Sequence, residues 1–345
     1  MKFLKQSATL LLACFLTIGI AYQADAQDDN YRKAVTAFNK ALENANASEY
    51  EQAINMYNQA ISLAEQSEFE KAPDIVDRAQ SQLPSIYYQL AVTRYKNFQK
   101  NKNLSSLDEA MDSFQEAADI SEEYGNGQIA DKSGNIVTQL LYTKSIIQFK
   151  SQQYDDAIAS LDQAIERNPN YAKAYYQKGL VIKNKNDQNL DTALEMFDKA
   201  IEIGSKPEVN DQQIVRQATT AAHDNLIYRG VQAMEDKNFD ESAELLNRAL
   251  NYNAESADAH YRLAELHNKR TNWDQALTHA RKALDLESGG KTELAKIYFE
   301  LGTALKAQGK KSEACSAFKN AAFGSFKSPA EHQMEYELKC ESTTR

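Results

Sequence analysis

One pattern of small and bulky residues recurs along most of this 345-residue chain. In its clearest copy, Tyr154 is followed at spacings of three, four and three by Ala157, Leu161 and Ala164. Further copies start at Tyr50, Leu107, Leu190, Phe239, Trp273 and Lys311. Such a stripe lies on one face of a helix and lets that helix pack closely against a neighbour. Copies about 34 residues apart predict a solenoid of stacked helix pairs.

The residues of these units resemble those of the tetratricopeptide repeat, which combines an aromatic residue, Leu-Gly and a bulky residue with a later Ala, bulky residue and Pro. The last unit supplies Tyr298, Leu301, Gly302, Leu305, Ala314 and Phe318. In five units a small residue of the first helix precedes the Ala or Ser of the second by 12 positions, starting from Ala41, Ser145, Gly230, Ala264 and Gly302. The resemblance covers most of residues 31–324. It implies an all-α, right-handed superhelix of about seven helix pairs with a C-terminal capping helix.

The chain is predicted to consist of four parts. Residues 1–26 form a leader, residues 27–135 hold irregular units, residues 136–328 hold the regular units, and residues 329–345 form a capping helix and tail. In the irregular part, Pro84 is predicted to start a helix, and the loop of residues 101–103 is predicted to be widened. The capping helix is predicted over Ala330–Cys340, where its polar character would protect the end of a solenoid.

The leader has the features of a secretory signal. Lys2 and Lys5 precede a mostly apolar run over residues 9–21, and residues 24–26 (Ala-Asp-Ala) offer a cleavage site. That run is too short to span a bilayer core of about 30 Å as a helix. We therefore expect a mature chain that begins at Gln27 and resides in the periplasm or cell envelope, with no membrane-spanning segment. The alternative is a lipid anchor on Cys14, which follows Leu-Leu-Ala; the apolar run that continues to Ile20 argues against it.

The charge of the chain limits its partners. The formal net charge is −10, and loss of two lysines and one aspartate with the leader lowers it to −11. An acidic chain without a basic stripe is a poor binder of nucleic acid. Nucleic acid is therefore not an expected partner.

Two cysteines remain after the leader, Cys315 and Cys340. In an oxidising compartment they can form a disulfide. In the chain-entropy model, closing the loop between them would raise the free energy of unfolding by roughly 3–4 kcal/mol. Two separately buried thiols are the alternative, and both readings stay open at this point.

No motif of a catalytic site is present, so neither an enzymatic activity nor a cofactor is predicted. G-x-S-x-G, G-x-G-x-x-G, the phosphate-binding P-loop and H-E-x-x-H are all missing from the sequence. His260, His267 and His279 fall in one predicted helix pair and could in principle bind zinc or copper. However, His260 and His267 occupy positions that Tyr298 and Leu305 fill in the last unit, so packing explains them without a metal.

The candidate binding surface is a stripe one residue beyond the packing stripe of the first helices. In proteins similar to this family, first helices line a groove in which a peptide or helix docks. The residues implied for such a groove are Tyr142, Ile146, Phe149, Tyr176, Lys183, Met234, Tyr261, Arg262, Asn268 and Lys269. Their basic members could bind carboxylates of a partner. Alternatively, the aromatic members pack between repeats.

Two hypotheses about function follow. The leading one is a non-catalytic scaffold or adaptor of the cell envelope that binds a protein or peptide partner in this groove. The other is a periplasmic protein that binds a glycan or small ligand, with Tyr142, Tyr176 and Tyr261 as stacking surfaces. The second hypothesis requires tyrosines that are exposed.

Overall fold

A computed structural model describes residues 28–185 and 189–340, and this part of the chain is α-helical without any β-strand. The leader with Cys14 lies outside the described residues. Two compact units divide the chain between Val137 and Thr138. The helices that begin in the first unit are α1 (Asp29–Asn46), α2 (Tyr50–Glu65), α3 (Ala72–Asn101), α4 (Leu104–Glu123) and α5 (Gly127–Lys150).

The second unit continues from α5 through the regular repeats to the C-terminal end. Its helices are α6 (Tyr154–Arg167), α7 (Ala172–Lys185), α8 (Leu190–Gly204), α9 (Gln212–Glu235), α10 (Phe239–Tyr252), α11 (Ala257–Lys269), α12 (Trp273–Leu286), α13 (Lys291–Ala307), α14 (Lys311–Ala321) and α15 (Lys327–His332). Helices α1 to α14 form seven consecutive pairs in the described residues, and α15 follows them. The predicted all-α class and number of pairs are therefore confirmed.

The turn within a pair has a recurring form. Six second helices start two residues after a residue with a positive φ, namely Ser48, Lys102, Gln152, Lys237, Thr271 and Gly309. A left-handed residue at this place ends the first helix and reverses the chain. The turn at Lys102 has the same form, so the predicted wider loop is wrong. The extra residues instead lengthen α4, which begins at Leu104, three positions before the stripe residue Leu107.

Small residues of the first helices lie where the partner helix approaches closely. A Cβ atom added at Gly179 would lie 2.6 Å from the ring of Phe197, and one added at Gly302 would lie 2.9 Å from the ring of Phe318. Both phenylalanines are fully buried. Because a side chain in either place would push the two helices apart, the recurring small residue follows from the packing within each pair.

Helix α3 runs through Pro84 instead of starting there. It extends over 30 residues and is already helical at Ala72. A proline inside a helix costs about 3 kcal/mol, but Ile75, Ala79 and Leu83 upstream of it are all buried. Burial of this apolar face offsets the loss, which explains why the proline does not mark a boundary.

The C-terminal segment covers the last helix pair. Helix α15 begins two residues before Pro329 and passes into a π-helical turn that ends at Glu337, so the helical segment begins and ends three residues earlier than predicted. Ala330 is fully buried, and Met334 and Leu338 pack against the cluster that contains Phe318. Cys340 follows this segment and is disulfide-bonded to Cys315 of α14, with the two Cα atoms 5.9 Å apart.

Candidate functional site

The first helices of the second unit form a continuous surface, because α7 contacts α9, α9 contacts α11, and α11 contacts α13. We call the solvent-facing side of these four helices the first-helix surface. Within the described residues, no helix is both long and apolar enough to cross a membrane.

Three of the four predicted aromatic groove residues, Tyr142, Phe149 and Tyr176, are half-buried. Tyr142 packs edge-on against Tyr171, with ring centroids 5.5 Å apart, and burial raises its pKa. Phe149 contacts Tyr154 at 5.9 Å, and Tyr176 contacts Phe197 at the same distance. Ile146 is likewise partly exposed. These side chains therefore pack within the repeats while keeping one edge open to solvent, and their part in partner binding stays a prediction.

Three other predicted groove residues are almost fully buried. Met234, Tyr261 and Asn268 are only 3%, 6% and 8% exposed. The ring of Tyr261 has the Arg262 guanidinium 4.8 Å and the Lys296 ammonium 5.0 Å from its centroid. The stacking role proposed for Tyr261 in glycan binding does not fit this burial, since the ring is covered by the protein itself.

The predicted basic residues differ in their surroundings. Arg262 Nη1 lies 3.2 Å from a carboxylate oxygen of Glu265, and Lys269 Nζ lies 3.6 Å from the same carboxylate. Lys183 is partly exposed at the end of α7. Because Glu265 forms ion pairs with both Arg262 and Lys269, the polar end of the surface contains a network of internal ion pairs.

Glu300 of α13, a partly exposed residue whose carboxyl group is largely enclosed by protein, belongs to this polar network and is not part of the sequence-based prediction. Asn268 Nδ2 donates to both its Oε2 (2.8 Å) and its backbone oxygen (2.9 Å). Burial raises the pKa of Glu300 to about 7, although the hydrogen bond from Asn268 acts in the opposite direction. Its neighbour Phe299 lies one residue beyond the packing residue Tyr298, as the members of the predicted stripe do, but nothing in the local pattern indicates that the carboxylate of Glu300 is enclosed.

Two cavities open on the first-helix surface along α9. One has a volume of 410 Å³ and lies between α9 and the end of α10. The other has a volume of 360 Å³ and lies between α9 and α11. His223 and Asp224 line both cavities. Beside them, Tyr228 is 52% exposed; it sits one position beyond the predicted stripe, so the sequence offered an aromatic residue there but no sign of its exposure.

Three histidines of the sixth pair come together as their predicted positions imply. The Nδ1 atoms of His260 and His279 are 3.0 Å apart, and the ring of His267 stacks on that of His279 at 5.5 Å. Among the described residues, no group of three or more His, Cys, Asp or Glu side chains is arranged to hold a metal ion. Burial, reinforced by His260 and His267, lowers the pKa of His279 to about 4.

Replacing His279 by Leu is expected to make the protein less sensitive to acid. The imidazole has a pKa of about 4 in the folded protein against 6.5 without these surroundings. Its contribution to stability is thus complete above pH 6.5 and is lost as the pH falls toward 4. Leu245 occupies the equivalent position in α10, so the replacement suits the helix pair.

The free energy of unfolding of His279→Leu relative to the wild type should rise by about 1–2 kcal/mol from pH 7 to pH 5. Denaturant unfolding at the two pH values measures this difference. An equal difference in unfolding free energy between variant and wild type at both pH values would contradict the lowered pKa of His279 as the cause.

Three family models match parts of the chain. A family model described as a TPR repeat matches residues 147–186, and models described as tetratricopeptide repeats match residues 22–85 and 233–289. No curated protein sequence matches the chain.

Several solved structures are similar to the chain at low identity. YrrB, described as a TPR protein with an unusual peptide-binding site, is 17% identical over 57% of this chain and 91% of its own, with a TM-score of 0.34. A tetratricopeptide repeat protein from Parabacteroides merdae is 16% identical over 88% of this chain and 98% of its own, with a TM-score of 0.28. MamA from Desulfovibrio magneticus is 16% identical over 53% of this chain and 92% of its own, with a TM-score of 0.34.

Proposed function

Because the chain contains tetratricopeptide repeats, which are in general a protein-interaction scaffold, we propose that it is a non-catalytic adaptor of the cell envelope that binds a protein or peptide partner. The observation that carries this proposal is the first-helix surface, where consecutive helices leave two open cavities beside the exposed ring of Tyr228. Exposed aromatic residues beside concave surfaces are favoured positions for partner contacts.

The envelope location rests on two independent features. The leader combines Lys2 and Lys5 with an apolar run and a cleavage site after Ala26. The disulfide between Cys315 and Cys340 is of the kind that persists in oxidising compartments. Together they favour export over a cytosolic location.

Export predicts a specific N-terminus. Protein recovered from the envelope fraction of its native cells should begin at Gln27, which intact-mass measurement and N-terminal peptide sequencing would show. A chain that starts at Cys14 and carries the added mass of a lipid would instead support the anchored alternative. Recovery from the cytosol with residues 1–26 attached would contradict export altogether.

Partner binding can be tested by site-specific photocrosslinking in the same cells. A photoreactive phenylalanine analogue at position 228 should give a discrete adduct with another protein, because Tyr228 lies beside the cavities. The matched control is the same analogue at position 278, where the exposed Thr278 lies on the second helix α12. Equal adducts at both positions, or none at 228, would speak against a partner on the first-helix surface.

A further inference from the structure

The apolar core of the second unit changes character at the sixth helix pair, α11 and α12. One buried apolar cluster extends from α7 to α10 and includes Leu263 on one face of α11. A second cluster joins Leu277 of α12 to α13, α14 and α15. A small third cluster of Tyr261, Ala283 and Ile297 links α11, α12 and α13. The two large clusters thus meet at the sixth pair without merging.

Three histidines lie between α11 and α12 at this place. We call His260 and His267 of α11 and His279 of α12 the histidine layer. The Nδ1 atoms of His260 and His279 are 3.0 Å apart, and the planes of the stacked rings of His267 and His279 differ by 15°. In the last pair, Tyr298 and Leu305 occupy the positions of His260 and His267. Ionisable rings therefore replace bulky side chains that carry no charge.

The contact between His260 and His279 requires a neutral ring. A hydrogen bond between two Nδ1 atoms needs one atom that donates and one that accepts, and a protonated imidazole carries hydrogen on both nitrogens. When both rings are protonated, the bond is lost and two like charges face each other. A proton on His267 adds a further charge to the same layer. Protonation of the layer therefore turns an attraction between α11 and α12 into a repulsion.

The charged side chains that act on the layer do not neutralise it. Burial lowers the pKa of His260; a backbone hydrogen bond opposes this, and Lys282 of α12 adds to it. Burial and the nearby Arg270 lower the pKa of His267. Arg270 itself pairs with Asp240 of α10 at 2.9 Å. Because Lys282 and Arg270 are cations, they increase the repulsion in a protonated layer.

Helix α13 also packs against α11, but its charged side chains bind away from the layer. Lys296 Nζ lies 3.6 Å from Asp258 of α11, and Glu300 accepts a hydrogen bond from Asn268. A protonated carboxyl keeps an acceptor oxygen, so the bond from Asn268 does not require ionised Glu300. Mild acid therefore acts on the contact of α11 with α12 and spares this contact of α11 with α13.

The position of α11 in the repeat array makes it sensitive to its contact with α12. Each pair of a solenoid is held only by its neighbours. Helix α10 packs less extensively against α11 than α8 packs against α9. The contact with α12 therefore supplies a large share of what holds α11 in place, and its loss favours local opening over unfolding of the whole array.

His279 sets the expected size of the effect. Its pKa is about 4 in the folded protein against 6.5 without these surroundings, because it is buried beside the other two rings. In an open pair the ring takes up a proton freely. The full difference in pKa would raise the ratio of open to closed pairs about 20-fold between pH 7 and pH 5. Since the ring is partly exposed, we expect about tenfold.

We propose that the histidine layer is an acid-sensitive joint in the repeat array. When its rings are protonated, α11 separates from α12 and the sixth pair opens, while α7 to α10 stay folded. Helices α13 to α15 are then uncoupled from the repeats that precede the joint. Because Asp258 and Arg262 of α11 line the second cavity, opening also changes one wall of that cavity. The joint does not depend on the proposed binding function.

Amide hydrogen exchange of the mature protein at pH 7 and pH 5, corrected for intrinsic exchange rates, tests the joint. Protection of α11 and α12 should fall about tenfold, whereas protection of α7 to α10 should change by less than about twofold. An equal fall in all these helices would show a general loss of stability and overturn the proposal. Unchanged protection of α11 and α12 would overturn it as well.

Replacing the layer should abolish the response to acid. The other pairs supply suitable side chains, so the variant combines His260→Tyr, His267→Leu and His279→Leu. Its α11 and α12 should be equally protected at pH 7 and pH 5. If this variant does not fold at pH 7, His279→Leu alone should remove most of the tenfold change. Opening at pH 5 in a folded variant would contradict the proposal.

A matched control keeps the layer intact and removes a histidine elsewhere. His332 of α15 has a side chain that is 58% exposed. His332→Gln should therefore open at pH 5 as the wild type does. Loss of the response in His332→Gln would place the acid-sensitive group outside the histidine layer and overturn the proposal.

The single tryptophan of the chain gives a second readout, because Trp273 is the first residue of α12. Its emission maximum should move to longer wavelength between pH 7 and pH 5, before the helical circular-dichroism signal of the whole chain declines. The wavelength is the appropriate measure, since a nearby imidazolium can change the intensity without opening. Coincident changes in emission and circular dichroism would indicate global unfolding and contradict a local joint.

Discussion

Glu300→Gln is expected to stabilise the protein at pH 8 far more than at pH 5. The carboxyl of Glu300 has a pKa of about 7 in the folded protein, mainly because it is buried, against 4.5 without these surroundings. Between these values the folded state holds more protons than the unfolded state. The contribution of Glu300 to wild-type stability is thus complete below pH 4.5 and is lost as the pH rises through 7.

A glutamine at position 300 does not ionise and can still accept the hydrogen bond from Asn268. The stability of the variant relative to the wild type should therefore increase by about 2–3 kcal/mol between pH 5 and pH 8. Denaturant unfolding at pH 5, 6, 7 and 8 measures this difference. The matched control is Glu244→Gln, since Glu244 has a side chain that is 71% exposed.

The effect of Glu300 opposes that of His279, so the wild-type profile alone cannot separate them. The histidine loses its stabilising contribution as the pH falls, and the glutamate loses it as the pH rises. The double variant Glu300→Gln/His279→Leu should depend on pH less than either single variant. A Glu300→Gln difference that stays constant from pH 5 to pH 8 would contradict the burial of an ionisable carboxyl.

The helix pairs could be predicted because their determinants are local. The stripe that begins at Tyr154 fixes which face of a helix is apolar, and small residues such as Gly302 fix where two helices touch. Both signals lie within one repeat. Pro84 shows the limit of such reasoning, since burial of the preceding turns outweighs a strong local preference.

The candidate site was less predictable because exposure depends on the next repeat. Moving one residue along a helix turns the side chain by about 100°, to the border between buried and exposed positions. At such positions the neighbouring helix determines whether the side chain is buried or exposed. Tyr261 is covered by Arg262 and by Lys296 of α13, whereas Tyr228 is exposed. One of the two cavities along α9 likewise lies against the first turns of this helix, which precede the repeat positions Leu226 and Gly230.

Loss of the disulfide is expected to have the largest effect on stability of the C-terminal end. The bond between Cys315 and Cys340 closes a loop with a sequence separation of 25 residues. The chain-entropy model gives such a loop about 3–4 kcal/mol. Without it, the segment from α15 to Leu338 is held to the last helix pair by packing of Ala330, Met334 and Leu338 and by the contacts of Lys306 with Gln333 and Glu337.

Cys340→Ser should therefore lower the free energy of unfolding by about 3–4 kcal/mol if the segment unfolds together with the repeats. Amide hydrogen exchange distinguishes this from local release, in which exchange accelerates over residues 327–337 while the repeats α9 to α12 keep their protection. Reducing the wild type should reproduce the effect of Cys340→Ser, and the variant itself should not respond to the reductant. Equal stability and equal exchange with and without the bond would contradict this prediction and show that noncovalent contacts suffice to hold the C-terminal segment in place.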